Sequence, residues 1–149
     1  MKPYEIIGHT ADIGIRASGR TIKELFENAA RGMFAVIFGE NKDGHEAESR
    51  DPAAITSRKI EIKKEIFRYE DLLVFWLSEL LYVFDQESIV FKDFRILELT
   101  NSGISAETST SRIDLSRDVM RREIKAVTFS DLNIEESEHG FTCKVIFDV

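Results

Sequence analysis

The chain has one cysteine, two prolines and no long apolar run, and each shortage removes a class of protein from consideration. With Cys143 alone, neither an intramolecular disulfide nor a multi-cysteine zinc site can form. Its place in an alternating apolar segment makes it a buried structural thiol and suits a reducing, cytoplasmic setting. Two prolines beside 43% hydrophobic and 32% charged residues are not the composition of a low-complexity or disordered chain. Met1-Lys2-Pro3-Tyr4 is not followed by an apolar stretch of signal length, and the most apolar run, 72–77, is far short of a membrane span. Nothing is expected to target or anchor the chain. Basic residues are also in deficit, with 20 Lys and Arg against 27 Asp and Glu, for a formal net charge of −7. Direct, phosphate-driven binding of nucleic acid is therefore disfavoured, and cations or a basic protein partner suit the balance better. The densest basic run, Arg112, Arg117, Arg121, Arg122 and Lys125, is interleaved with Asp114, Asp118 and Glu123 and reads as a solvated mixed face.

What is present specifies one domain, 1–149, long enough to remove roughly 70% of its unfolded surface from water. Alternation over 13–17 predicts a strand closed by Ser18-Gly19-Arg20. A helix follows, because Thr21 and Glu24 form a capping box and Ile22, Leu25, Phe26, Ala29, Met33 and Phe34 recur at helical spacing up to a stop at Gly39. Residues 40–58 read as an exposed connection. Strict alternation over 59–63, continuing to Ile66-Phe67, predicts a strand with a bulge at Lys63-Lys64. Residues 71–84 are apolar almost all round, with Asp71 placed to cap, so this helix must be covered on most sides at the centre of the core. Strands are expected at 89–94, 95–99, 103–108, 123–129, 132–136 and 141–147. They outnumber the two strong helices and are not regularly interleaved with them, which indicates an α+β fold with mixed or antiparallel sheets around two main helices.

The chemistry on offer is narrow. No Gly-rich phosphate loop, nucleophile elbow or zinc-protease motif occurs, and His9, His45 and His139 are widely spread, so an independent catalytic machine is poorly supported. Two carboxylates have unusual positions: Asp12, in the polar break of "EIIGHTADIGIR", and the penultimate Asp148. In the last strand Asp148 shares a side with Thr142, Lys144 and Ile146, and it leaves the strand beside the α-carboxylate of Val149. Were the Asp12 loop beside this strand end, three anionic groups would repel one another unless a cation or strong donor sat among them, and a hard, oxygen-bound divalent ion would resolve that repulsion. Taken singly, each aspartate is an ordinary solvated turn or chain-end residue.

Four blocks in order, "HTADIGIRASGRTIKELFENAARGMF", "EDLLVFWLSELLYVFD", "EIKAVTFSDLNIE" and "GFTCKVIFDV", resemble the archease family. These are small protein cofactors of RtcB-type tRNA-splicing RNA ligase. The resemblance implies an archease-like, SHS2-related α+β fold and a cytoplasmic, non-catalytic activator. Such an activator promotes guanylylation and multiple turnover of the ligase and broadens its nucleotide use, meeting RNA only through the ligase and no membrane. It further implies a metal site of Asp12, Asp148 and Val149. Calcium is the first choice of ion for the isolated protein, with manganese or magnesium as alternatives. Lys125, in the "KAVT" block, matches a lysine needed for activation; by itself it would read as surface decoration. His9 matches as well, with ordering of the loop preferred to ligation as its role.

The pattern is not perfectly kept. Asp118 and Ser130 stand where relatives often carry histidine, and the usual "GE" loop is diluted to Ala106-Glu107-Thr108-Ser109, which puts partner fit in question rather than the metal site. Whether the acidic tip orients or exchanges the ligase's ions, or Lys125 neutralises phosphate, is left open by the sequence. A chaperone-like or small-ligand-binding module is the alternative reading, and a metal-dependent phosphohydrolase, which would need further carboxylates, stands third.

Overall fold

The computed structural model describes residues 2–8, 12–40, 54–65 and 68–149. His9, most of the 40–58 connection and Ile66-Phe67 lie outside the described residues. In chain order the elements are β1 (Tyr4–Ile7), β2 (Ile13–Gly19), α1 (Ile22–Phe38), β3 (Thr56–Lys63), α2 (Tyr69–Glu87), β4 (Ile89–Thr100), β5 (Gly103–Arg112), β6 (Ala126–Val127), β7 (Glu135–Ser137) and β8 (Gly140–Asp148). They form two antiparallel sheets. One has the order β1-β2-β8-β6, with β7 also paired to β8; the other has the order β3-β5-β4. Among the described residues, two helices with antiparallel sheets make the α+β fold expected from the sequence.

α1 begins as its sequence dictates. The Thr21 hydroxyl accepts from the Glu24 amide at 3.1 Å, satisfying a donor that the first turn leaves unpaired, and Gly39 ends the helix at φ 87° with its N–H on the Ala35 carbonyl. Its buried face, including Leu25, Phe26, Ala29, Met33 and Ile37, lies on the sheet. α2 is buried along Leu72, Leu73, Trp76, Leu77 and Leu80, as its nearly all-round apolar sequence requires. The Trp76 indole N–H donates to the Phe26 carbonyl at 3.0 Å, which ties the helices together inside the core. Phe34, Phe38, Phe84, Phe91 and Phe94 complete an aromatic cluster between the helices and β4, with ring centroids 5.4 to 6.0 Å apart.

Several boundaries differ from the sequence expectation. Asp71 is not the cap of α2: Arg68 holds that position without a side-chain bond, and Asp71 lies in the first turn, where a carboxylate faces the positive end of the helix dipole. β3 starts at Thr56 and stays in unbroken register with β5 to Lys63, so the expected bulge at Lys63-Lys64 is absent from the ladder. The irregularities sit instead in β4, between Phe91 and Asp93 and between Ile96 and Glu98, and they make one bent strand of what the alternation divided in two. The strand expected at 123–129 contracts to Ala126–Val127, that at 132–136 shifts to Glu135–Ser137, and β5 extends to Arg112.

Candidate functional site

β8 is the middle of the larger sheet, and its register decides what meets at its end. β2 covers one edge, with Ile13 opposite Phe147 and Gly19 opposite Phe141. The other edge is shared: β7 pairs with its first residues and β6 with its last, placing Ala126 opposite Asp148 and Val127 opposite Phe147. Asp12 directly precedes Ile13, and Asp148 directly follows Phe147. The two aspartates therefore leave the same end of one strand pair, although 136 positions separate 12 from 148 in the chain.

Burial sets the side on which they lie. Ile13, Ile15, Cys143, Val145 and Phe147 are all buried; alternation in β8 turns Asp148 from the core, and Asp12, just before β2, is exposed as well. Val149 is half-buried and packs against the core, which anchors the chain just beyond Asp148.

Lys125 enters the same end from the third strand. Its amide donates to the Asp148 carbonyl at 2.7 Å, while its side chain is exposed. Three residues later, both the N–H and the hydroxyl of Thr128 donate to the Ile146 carbonyl at 3.0 Å, clamping β6 to β8 on the other side of Asp148. The structure thus brings Asp12, Lys125, Asp148 and Val149 to one sheet end. His9 lies outside the described residues.

Gly8 is a positioning residue that the sequence reading passed over. It turns out of β1 at φ 83°, and a Cβ at this position would lie 1.9 Å from the Asp12 carbonyl oxygen. The backbone before the HTAD block is folded tightly onto the backbone of Asp12, which only glycine permits. Its signal was available, since a glycine between a strand and a polar break marks such a turn. Thr128 gave no comparable signal, because its bond depends on the β6–β8 pairing.

Among the described residues, the groups at this end that could hold a metal are oxygens. The carboxylates of Asp12 and Asp148 and the main-chain oxygens of Val149 are hard ligands, suited to calcium, magnesium or manganese rather than to a thiophilic metal. Cys143 supplies no soft ligand, since it is buried and burial pushes its thiol up to about 12. Among the described residues no group of three or more His, Cys, Asp or Glu side chains is placed to hold a metal. The donor set accordingly fits an ion only in part: it covers a fraction of the roughly six to eight oxygens that calcium takes and leaves the rest to water or to a partner.

These features define a class: an α+β protein whose central strand ends in an exposed carboxylate pair beside a lysine. Residues 4–149 match the Archease protein family (MTH1598/TM1083). "Protein archease" of Methanosarcina barkeri is 38% identical over 99% of this chain and 97% of its own length, and that of Pyrococcus abyssi is 36% identical over 94% and 93%. The solution structure of Methanobacterium thermoautotrophicum protein 1598 superposes with a TM-score of 0.71 at 31% identity, covering all of both chains. The chain belongs to the archease family.

Proposed function

We propose that this archease-family chain is a non-catalytic activator of an RtcB-type tRNA-splicing RNA ligase, acting through the sheet end formed by Asp12, Lys125, Asp148 and Val149. The observation that supports it most is the β2–β8–β6 register, which assembles from three distant segments the residues that the family resemblance assigns to metal binding and activation. A protein that lends groups to another enzyme needs only an exposed, well-held set of them.

The parts of the mechanism that belong to this chain follow from position. Asp148 presents its carboxylate from a paired strand, and Asp12 presents its own from the residue before β2, with its backbone held against Gly8. A divalent ion at this end would supply positive charge to phosphate or nucleotide oxygens. Lys125, fixed through its backbone to Asp148, offers a mobile ammonium that either pairs with the aspartates or meets phosphate directly. In this reading RNA is touched only by the ligase, and the effects on the ligase are faster guanylylation, repeated turnover and wider nucleotide use.

The test is ligase guanylylation followed with the wild-type protein and with Asp12→Ala and Asp148→Ala. Both aspartates are exposed, so both variants are expected to fold normally while stimulation falls by at least about tenfold. Full stimulation by both would sink the proposal.

A further inference from the structure

Between β5 and β6 the chain runs through residues 113–125 without helix or strand, and this loop has two opposed properties. Its backbone is firmly held. Ile113 N–H donates to Ser88 O at 3.0 Å, the buried Asp118 carboxylate accepts from the Asp114 amide at 2.8 Å, Arg121 and Arg122 N–H both donate to Ile37 O, and Ile124 is buried. Yet Leu115, Val119 and Met120 are 84%, 59% and 47% exposed. Single exposed apolar residues are ordinary, but three within six positions of a loop whose backbone is pinned are an unusual concentration. Exposed Arg112 and Arg121 and half-buried Arg122 flank them in sequence, with Arg117 paired to Asp114 at 3.7 Å and Asp118 buried, in a protein whose net charge is −7. Asp118, at the position where relatives often have histidine, acts here as the internal staple of this loop.

The loop is also placed to act with the carboxylate end. Gly19 of β2 lies against Leu25, and Gly32 of α1 lies against Ile15 of β2, so α1 runs back along β2, and its stop, Gly39, lies against the Arg121 side chain. Ile37, whose carbonyl holds the loop, is in the last turn of that helix. From there the loop passes into Lys125 and its bond to Asp148. Ser116 and Arg117 line two clefts, of about 1030 Å³ toward β3 and β5 and about 780 Å³ toward α1 and β4, so recesses accompany the apolar side chains.

We infer that the Leu115–Val119–Met120 patch is the docking surface for the protein on which the carboxylate end acts, and that this partner offers an apolar recess bordered by Asp and Glu. The inference rests on the proposed function, since the partner is the ligase of that reading. Charge complementarity selects the border: Arg112, Arg121 and Arg122 flanking the apolar side chains fit a carboxylate-rimmed protein pocket, whereas RNA has no apolar recess for Leu115. The held backbone lowers the ordering cost of docking.

The experiment uses the full chain and the ligase. Affinity is measured by biolayer interferometry, and stimulation is measured against protein concentration, for the wild type, for the triple variant Leu115→Ser, Val119→Ser, Met120→Ser, and for Arg121→Glu. Circular dichroism and the urea midpoint verify their fold. The triple variant is expected to bind at least about thirtyfold more weakly and to regain full stimulation at high concentration. Arg121→Glu should lower the association rate and flatten its salt dependence. Asp12→Ala should bind normally and stimulate poorly. Wild-type binding by the triple variant overturns the docking assignment while leaving the proposed function intact. A wild type that neither binds nor stimulates the ligase removes both. If the patch instead drives self-association in sedimentation, or if the variants lose RNA rather than ligase, the occupant is different and the inference is wrong.

Discussion

Replacing Gly8 by alanine separates the positioning of Asp12 from its chemistry. At φ 83° an L side chain costs about 1–2 kcal/mol in the backbone alone. The new Cβ would stand 1.9 Å from the Asp12 carbonyl oxygen, far inside contact distance, so that carbonyl must retreat by about 1 Å or more. Strain and displacement together place the loss of stability at about 2–4 kcal/mol. In urea this lowers the unfolding midpoint by about 1–2 M. Because displacement moves the backbone that carries the Asp12 carboxylate, stimulation of the ligase should also fall, by about tenfold or more, under conditions where the variant is still folded. Asp12→Ala makes the contrasting control, with an unfolding free energy within about 0.5 kcal/mol of the parent's and equally poor stimulation. A Gly8→Ala protein with the parent's urea midpoint and the parent's activity would refute the reasoning, because the close approach would then have no consequence.

Two further outcomes concern the core that supports the site. Trp76→Phe removes a buried indole and its bond to the Phe26 carbonyl, so chemical denaturation should show a loss of about 2–3 kcal/mol; a change below about 0.5 kcal/mol would mean the helix pair is not joined there. Cys143 is raised from its ordinary 9.0 to about 12, chiefly by burial and against a backbone hydrogen bond from Ala17. The folded state holds the neutral thiol, so this contribution to stability is complete below about pH 9 and is lost as pH rises toward 12. Compared with Cys143→Ala, the parent should lose stability more steeply over that window, and its thiol should react with a disulfide reagent only after unfolding. Identical pH profiles would contradict the assigned burial.

The parts of this fold legible in the sequence are those governed by neighbours. The Thr21 and Glu24 pair, the 3.6-residue spacing of α1 and the alternation of β8 each act within a few residues, and each reappears in the structure with small shifts. β4 was not legible as one strand because its two bulges reset the alternation, which makes a bent strand resemble two straight ones. The strand at 123–129 was overread for a different reason. Its apolar residues suit a strand, but β8 ends with Asp148 opposite Ala126, so before Ala126 only the Lys125 amide still reaches it, while Phe129 departs at 54% exposure. Asp71 failed as a cap because α2 starts one turn earlier than its apolar run.

The site shows the same division. Asp148 could be assigned its outward side from the alternation of 141–149 alone. Its meeting with Asp12 and Lys125 depends on two long-range registers that no local pattern contains; position alone marked Asp12 and Asp148 out, and only the family resemblance brought Lys125 to notice. Gly8 belongs between the two cases, being a local turn whose purpose appears only once the Asp12 carbonyl is seen against it.

The most direct measurement is multiple-turnover RNA ligation by the cognate ligase, with substrate in large excess and this protein absent, present as wild type, or present as the Asp12→Ala, Asp148→Ala double variant. The account predicts product accumulating well beyond one equivalent of ligase with the wild type, and stalling near one equivalent without it or with the variant. Equal product in all three reactions, or equal stimulation by the variant, would contradict it.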